Sequence, residues 1–543
     1  MAAMAEASTG VRRGAGGLAM AAAIVAAGFL GSRLLGVLRT VAIARAFGAS
    51  PELDAYQVAF RIPDLIFQVL AGATLGSAFI PVFARTVRSE GEERAWLLAS
   101  RAFNLVTAST AVLCAIGWVL APVLVPIFAP GLGADIGRRD ELVAEAVFLT
   151  RLMLLSPLLF AMSGMVTGIL NARERFLYPA IAPMLYNLAI IAGALFLAEP
   201  LGVRGLAVGV VCGAALHFAV QLPGLWQERM RYRLSLTWAD PAVREVGRLM
   251  APRVAGLAAA QVNVYFIATY FGSRVGAGAI ASLNYAWIVA NLPLAVFGMA
   301  ISTAAFPRMA TIAAAGDVAA LREQTSRLLR LILFFTVPAA LGLALLREPV
   351  VEVLLQRGAF TAGDTQVTAA ALGWYCLGIV PQAGVEIHSR AFYALGDTRT
   401  PVLFAVAALG VNALLSAVLW EPFGVSGLAF AVSVASWLEW AGLWAVAVRR
   451  LGDRSASDLQ ALGRMAVAAG VMGIVVAAGF GPEHGGGSLE AFTDAFLGAA
   501  AGALAYFAMA ALLGIDEVYE LGDRAVAQLQ RLRTGLPSNG RGA

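Results

Sequence analysis

The sequence contains no lysine, and only 13% of its 543 residues are charged, against roughly 25% in a soluble globular protein. Without lysine there is no residue to reach the β/γ-phosphates from a P-loop, so ATP hydrolysis by that route is excluded. Cysteine and histidine are equally sparse. Cys114, Cys212 and Cys376, like His217, His388 and His484, stand far apart and show neither a disulfide framework nor metal-ligand spacing. No Ser-His-Asp set, paired catalytic carboxylates or nucleotide loop emerges. These absences point away from an enzyme, and no cofactor, metal or nucleic-acid partner is expected.

What is present is apolar: 60% of the residues are hydrophobic, and the formal charge of +5 is carried on the basic side by arginine alone. Apolar runs lie near 17–46, 55–83, 97–128, 143–170, 178–198, 203–225, 246–271, 279–306, 327–346, 367–394, 401–420, 425–447, 462–480 and 491–513. At roughly 1.5 Å per residue each can cross a hydrocarbon core of about 30 Å. The fold class expected is an all-α integral membrane protein of about fourteen transmembrane helices. The stretch GGLAMAAAIVAAGFLG after Arg12 and Arg13 has the look of a secretory signal core, but its run continues through Arg33 and Arg39 to Phe47 and is taken as the first span.

Arginine placement orients the chain. Connections holding Arg85, Arg88 and Arg94, then Arg173 and Arg175, Arg229, Arg231 and Arg233, Arg308 and Arg322, Arg399, and Arg449, Arg450 and Arg454 belong on the cytoplasmic side. The alternate connections are short or acidic, and Arg138 and Arg139 are diluted there by Asp135, Asp140 and Glu141. An even helix number puts both termini in the cytoplasm. The tail DRAVAQLQRLR is either an interfacial helix or a solvated one.

An internal repeat organises the chain. E199-P-L-G-V-R-G-L-A207 is matched by E421-P-F-G-V-S-G-L-A429, and the same offset carries Pro179 onto Pro401. Both copies start on the same side of the membrane, which makes the repeat parallel about an axis along the membrane normal. The expected layout is a segment 1–16, an N-lobe of six helices at 17–225, a pseudo-symmetric C-lobe of six at 226–448 with its leading loop, two further helices at 449–513, and a tail at 514–543.

Charges within the spans are the informative residues, because an arginine at a helix centre costs about 2.5–3.5 kcal/mol on insertion scales. Arg33 lies mid-span, and Arg39 follows about 9 Å further along and roughly 120° around the helix. Both suit an aqueous cavity between lobes, where guanidinium groups capture phosphate oxygens; the alternative is that they snorkel or pair with a carboxylate. Asp54 opens the second helix, where a carboxylate suits the positive dipole end. Arg61, followed by Pro63 and Asp64, either pairs with Asp64 or contacts substrate. Arg253 follows Pro252 at the start of the seventh run, and Glu386 and Arg390 have the spacing of an intrahelical ion pair.

The motifs G31-S-R-L-L-G-x-x-R39, A44-R-A-F-G-A49, D54-A-x-x-V-A-F-R-I-P63 and A78-F-I-P81 resemble the opening of the MurJ/MviN family of lipid II flippases, within the multidrug/oligosaccharidyl-lipid/polysaccharide exporter superfamily. L283-N-Y-A286, R357-G-A-F360 and R390-A-F-Y-A-L-G-D-T-R-T-P401 extend the resemblance, which covers about 17–513. It implies a V-shaped transporter with a cationic cavity that opens alternately to each side, and a last helix pair lining a groove for a polyprenyl tail. On this resemblance Ser32, Arg33 and Arg39 are the expected substrate-binding residues, and Arg61, from its place in the second span, and Arg253, as a second-lobe cation in place of the one missing at Ile288, are added to them. Asp54, Glu386 and Arg390 are expected in gating or conformational support. Asn412 and Ser416 sit at positions of a possible ion site. The chain departs from the family at Thr40, Phe67, Gln68, Gly72 and Ile288.

The function expected is translocation of undecaprenyl-diphosphate-linked peptidoglycan precursor, lipid II, from the cytoplasmic to the outer leaflet of the bacterial inner membrane for cell-wall biogenesis. It would act as a monomer driven by membrane potential or by Na+/H+ coupling. The rivals are a flippase for another lipid-linked oligosaccharide, a drug exporter of the same superfamily, and a non-transporting membrane scaffold for cell-wall synthesis. Intramembrane arginines would be wasteful in a scaffold.

Overall fold

The computed structural model describes residues 2–70, 73–452, 455–480 and 488–519. Among the described residues every regular element is a helix, as expected where lipid leaves backbone amides no partner but their own chain. Ten helical stretches are long and apolar enough by length and composition to cross a membrane. The predicted apolar runs fall on helix except for turn or bend residues at 154, 197, 220–221, 346 and 513, and 71–72 in the second lie outside the described residues.

Two compact units divide the chain. The first, Met1–Ala281 with Arg357–Thr361, contains α1 (Ala2–Phe47), α2 (Pro51–Leu70), α3 (Ala73–Glu90), α4 (Glu92–Phe128), α5 (Arg139–Met153), α6 (Leu155–Ala172), α7 (Leu177–Phe196), α8 (Ala198–Leu201), α9 (Val203–Ala219), α10 (Leu222–Gln227) and α11 (Pro241–Val275). Its interior joins Phe79 and Phe83 of α3, Trp96 and Leu98 of α4, Met165 and Ile169 of α6, and Val246 of α11. The unit boundary therefore falls later than the predicted lobe boundary at 226. The seventh run, placed in the second lobe by the repeat, packs as α11 against α2, α3 and α4.

The second unit holds α12 (Ala279–Pro293) from Ser282 onward, its first turn belonging to the first unit, then a π-helical turn Leu294–Met299, α13 (Ala300–Ala314), α14 (Val318–Leu345), α15 (Arg347–Leu355), α16 (Ala362–Ala394), α17 (Arg399–Leu451), α18 (Ser455–Phe480) and α19 (Ser488–Leu512). Leu333 and Phe334 of α14, Ile387 and Phe392 of α16, Leu443 of α17, Met465 of α18 and Tyr506 of α19 form its core. The last two helices are fastened to α14 in three places: Ser326 donates to Asp458, Tyr506 donates its hydroxyl to the Phe334 carbonyl at 2.8 Å, and Arg330 lies 3.7 Å from Glu517 just beyond α19.

The sequence repeat is a repeat of backbone. Gly202 (φ 57°, ψ −142°) separates α8 from α9, and Gly424 (φ 54°, ψ −134°) breaks α17 into two helical halves at the matching position. A side chain rarely adopts this conformation, which explains why glycine stands at both. Three residues on, Gly205 faces the Leu197 carbonyl and Gly427 faces the Leu419 carbonyl, so a Cβ at either would collide with backbone. Each six-helix half thus makes the same sharp reversal between its fifth and sixth spans, with the returning helix packed backbone to backbone.

Candidate functional site

The candidate site is built on α1. Gly28 and Gly31 let α1 approach Ala180 and Met184 of α7. One helical turn on, Asn187 of α7 donates to the Ser32 carbonyl at 3.3 Å and reaches its hydroxyl at 3.5 Å. Ser32 therefore fixes the rotation of α1 against α7. Arg39, two turns further along the same face, lies half-buried within electrostatic range of Tyr56 of α2 and Tyr186 of α7; Asp64 of α2 is also within range of Tyr186. Arg33 turns away onto the exposed flank of α1, its guanidinium carbon 5.1 Å from the centre of the Phe29 ring. Neither arginine has an ion pair or hydrogen bond among the described residues. Two guanidinium groups on adjoining faces of one span thus keep their donors available, the arrangement that bidentate phosphate capture requires.

Asp54 does something other than cap its own helix. Ser50 caps α2, its hydroxyl accepting from Leu53 N–H at 3.2 Å. The buried Asp54 carboxylate instead accepts from the N–H groups of Gly278 and Ala281, each at 2.7 Å, at the start of α12. The amides there are the orphan donors of a helix N-terminus, satisfied by a carboxylate from elsewhere in the chain. Around this contact the first unit is tied repeatedly. Asp135 accepts from Ala277 N–H at 2.9 Å, Ser273 accepts from Gly131 N–H at 3.2 Å, and the Arg45 carbonyl accepts from Ala359 N–H at 2.9 Å. Gly278 (φ 80°) and Gly358 (φ 64°) lie directly on the backbone of Ala49 and Arg45, where a side chain would not fit. This accounts physically for the R357-G-A-F360 motif.

Arg61 is not paired with Asp64. Its Nε donates to Thr269 of α11 at 3.1 Å, while Asp64 accepts from Gln68 at 3.4 Å. Through that bond Arg61 joins α2 to α11. Phe67, at a position where the family pattern has arginine, packs with its ring tilted 50° against Phe160, centres 4.9 Å apart, and Phe160 in turn contacts Tyr186 at 5.0 Å and His217 at 5.2 Å.

In the second unit Glu386 accepts from Arg390 at 2.6 Å and from Ser302 of α13 at 2.8 Å, and Arg390 also donates to Thr303 at 3.2 Å. The pair fastens α16 to α13. Asn412 and Ser416 are joined to each other, the serine donating at 3.3 Å. Arg253 sits on α11, and its side chain lies outside the described residues. Within the first unit the structure brings Ser32 and Arg39 into one cluster with Arg33 on the neighbouring face and sets Asp54 on the start of α12; within the second unit Glu386 pairs with Arg390 and Asn412 with Ser416. Tyr56, Tyr186 and Asn187 join the cluster without having been singled out in the sequence. Asn187, a polar side chain within an apolar run, was the available signal.

The family profile described as Lipid II flippase MurJ matches residues 43–485. The chain is 33% identical over 413 residues to the lipid II flippase MurJ of Burkholderia cenocepacia, covering 75% of this chain and 79% of that protein. It is 30% identical over 430 residues to a probable lipid II flippase MurJ of Rhizobium tropici, covering 78% and 79%. Its fold matches a solved lipid II flippase MurJ in an inward closed conformation, with TM-score 0.76 and 23% identity over 91% of this chain and 99% of that one. An inward-facing MATE family transporter of the MOP superfamily matches with TM-score 0.63 and 15% identity over 77% and 94%. By the profile match over residues 43–485 and these identities, the chain belongs to the MurJ family of lipid II flippases.

Proposed function

We propose that this multi-pass membrane protein is a transporter that carries lipid II from the cytoplasmic to the outer leaflet of the bacterial inner membrane by alternating access. The observation that carries the reading is the pair Arg33 and Arg39, mid-span and without carboxylate partners among the described residues. A diphosphate offers such groups charge-assisted hydrogen bonds of about 1.5–3 kcal/mol each. Family membership and the 79% coverage of a named relative support lipid II as the cargo. Ser32 holds the arginines in register, and Asp54 latches the first unit at the end of α1 and α2 that the arginine distribution assigns to the outer face. Release of that latch would accompany outward opening. Inside-positive connections place both termini in the cytoplasm. The exposed Leu504 and Leu512 of α19 and Ile474 of α18 suit a polyprenyl chain.

The test is depletion of the protein in its host, with outer-leaflet lipid II measured after expression of wild type, Arg33→Ala or Arg39→Ala. Loss of either guanidinium is expected to lower delivery by at least about tenfold, the equivalent of one charge-assisted bond. Full rescue by both variants would overturn the phosphate-clamp reading. Unchanged lipid II exposure on depletion, with another lipid-linked oligosaccharide accumulating inside, would favour that rival cargo.

A further inference from the structure

Glu439 lies within the predicted span 425–447, about 15 Å along the helix from Arg449 at 1.5 Å per residue. It is half-buried on the flank of α17, between the buried stripe of Trp440, Leu443 and Ala447 and the exposed Trp437 and Leu438. Two indole hydrogen bonds fix the helix rotation there: Trp437 donates to the Leu377 carbonyl at 3.0 Å, and Trp440 Nε1 lies 3.3 Å from His388 Nδ1. Glu439 has no hydrogen bond or ion pair among the described residues. The cation in the middle of the neighbouring helix α16 is already committed. Arg390 is bound to Glu386, and Glu386 and Glu439 both act electrostatically on Tyr393 of α16.

A carboxylate in the hydrocarbon zone without a cation costs about 2.5–3.5 kcal/mol on insertion scales, and the cost falls away when the group is neutral. We propose that Glu439 is a proton-binding site and that its protonation is coupled to the transport cycle, an inference that rests on the flippase reading for the coupling alone. The step is a simple exchange. A carboxylate oxygen takes a proton from hydronium, forming an O–H bond and leaving water; on exposure to the opposite phase the proton returns to water and the carboxylate is restored. Tyr393 of α16 lies within electrostatic reach of Glu439; the other titratable groups on the neighbouring stretches are Glu386, Arg390 and His388 of α16 and, about 15 Å or more along its own helix, Arg449 and Arg450, the latter paired with Asp397. None of these donates to Glu439, so neutrality there must come from a proton.

The test uses the full-length protein in lipid nanodiscs and in proteoliposomes. Infrared difference titration of wild type is expected to show a protonated-carboxyl band that fades as pH rises, that is lost in Glu439→Gln and that survives in Glu386→Gln. In proteoliposomes a pH gradient is expected to change the wild-type lipid II flipping rate severalfold and to leave Glu439→Gln unaffected. A band identical in wild type and Glu439→Gln, or a gradient response that persists in Glu439→Gln, overturns the proposal. A band lost in Glu439→Gln while wild type moves no lipid II would instead leave the proton site standing and overturn the flippase reading.

Discussion

Arg33 and Arg39 occupy the same helix but different electrical situations. Arg39 is half-buried within electrostatic range of Tyr56 and Tyr186, whereas Arg33 rests on Phe29 with its face exposed. Arg39 is therefore the better-oriented ligand and Arg33 the more mobile one, so Arg39→Lys is expected to cost more transport than Arg33→Lys, because only guanidinium offers a rigid two-pronged fork. Initial flipping rates of the two variants decide it, and equal rates would show that charge alone matters. Asp54 was legible as a candidate position from its place in the family motif, but its partner was not. The two amides it serves come from residues far along the chain, and proximity of that kind is invisible in local pattern. Asp54→Ala leaves those buried N–H groups unsatisfied, at about 1–3 kcal/mol. A lowered melting temperature in detergent is the expected result, with Asp54→Asn milder because its amide oxygen still accepts.

At the scale of elements, the paired reversals at Gly202 and Gly424 make a matched experiment. Alanine at either must adopt a backbone conformation normally left to glycine, at about 1–3 kcal/mol, and thermal melts should register similar losses for Gly202→Ala and Gly424→Ala. A neutral result at one site alone would mean that the repeat is not equivalent in energy as it is in geometry. The motif G396-D-T-R-T-P401 also has a local cause. Gly396 (φ 74°) ends α16, and Asp397 starts α17 by accepting from Thr400 Oγ1 at 2.7 Å and from the N–H groups of Thr400 and Arg399 at 3.0 and 2.9 Å. Those bonds from Thr400, with lesser help from Arg450 and Arg399, hold the Asp397 carboxyl down to about 2. Since the folded value lies below the unfolded one of about 3.9, the stabilisation is present above about pH 4 and is lost as pH falls towards 2. Asp397→Asn should flatten that part of an acid-melting profile, and an unchanged profile would remove Asp397 from it.

On the scale of the whole molecule, the arginine pattern predicts sidedness. With the native cysteines replaced, Glu199→Cys is expected to react with an impermeant thiol reagent added outside intact spheroplasts, and Arg175→Cys only after permeabilisation; the reverse pattern would invert the topology. Much of this molecule was readable from its chain. Lipid as solvent, helices as the sole economical element, the parallel repeat and the candidate arginines all follow from composition, period and charge, because the bilayer penalises each unpaired polar group strongly enough to leave a mark on local sequence. Other features required the folded protein. Arg61 joined to Thr269 rather than Asp64, α11 packed with the first unit, Phe67 built into an aromatic cluster and Glu439 left without a cation are all matters of which distant residues meet. Sequence sets the cost of placing a charge in the membrane, but only packing between helices decides which partner, if any, removes that cost.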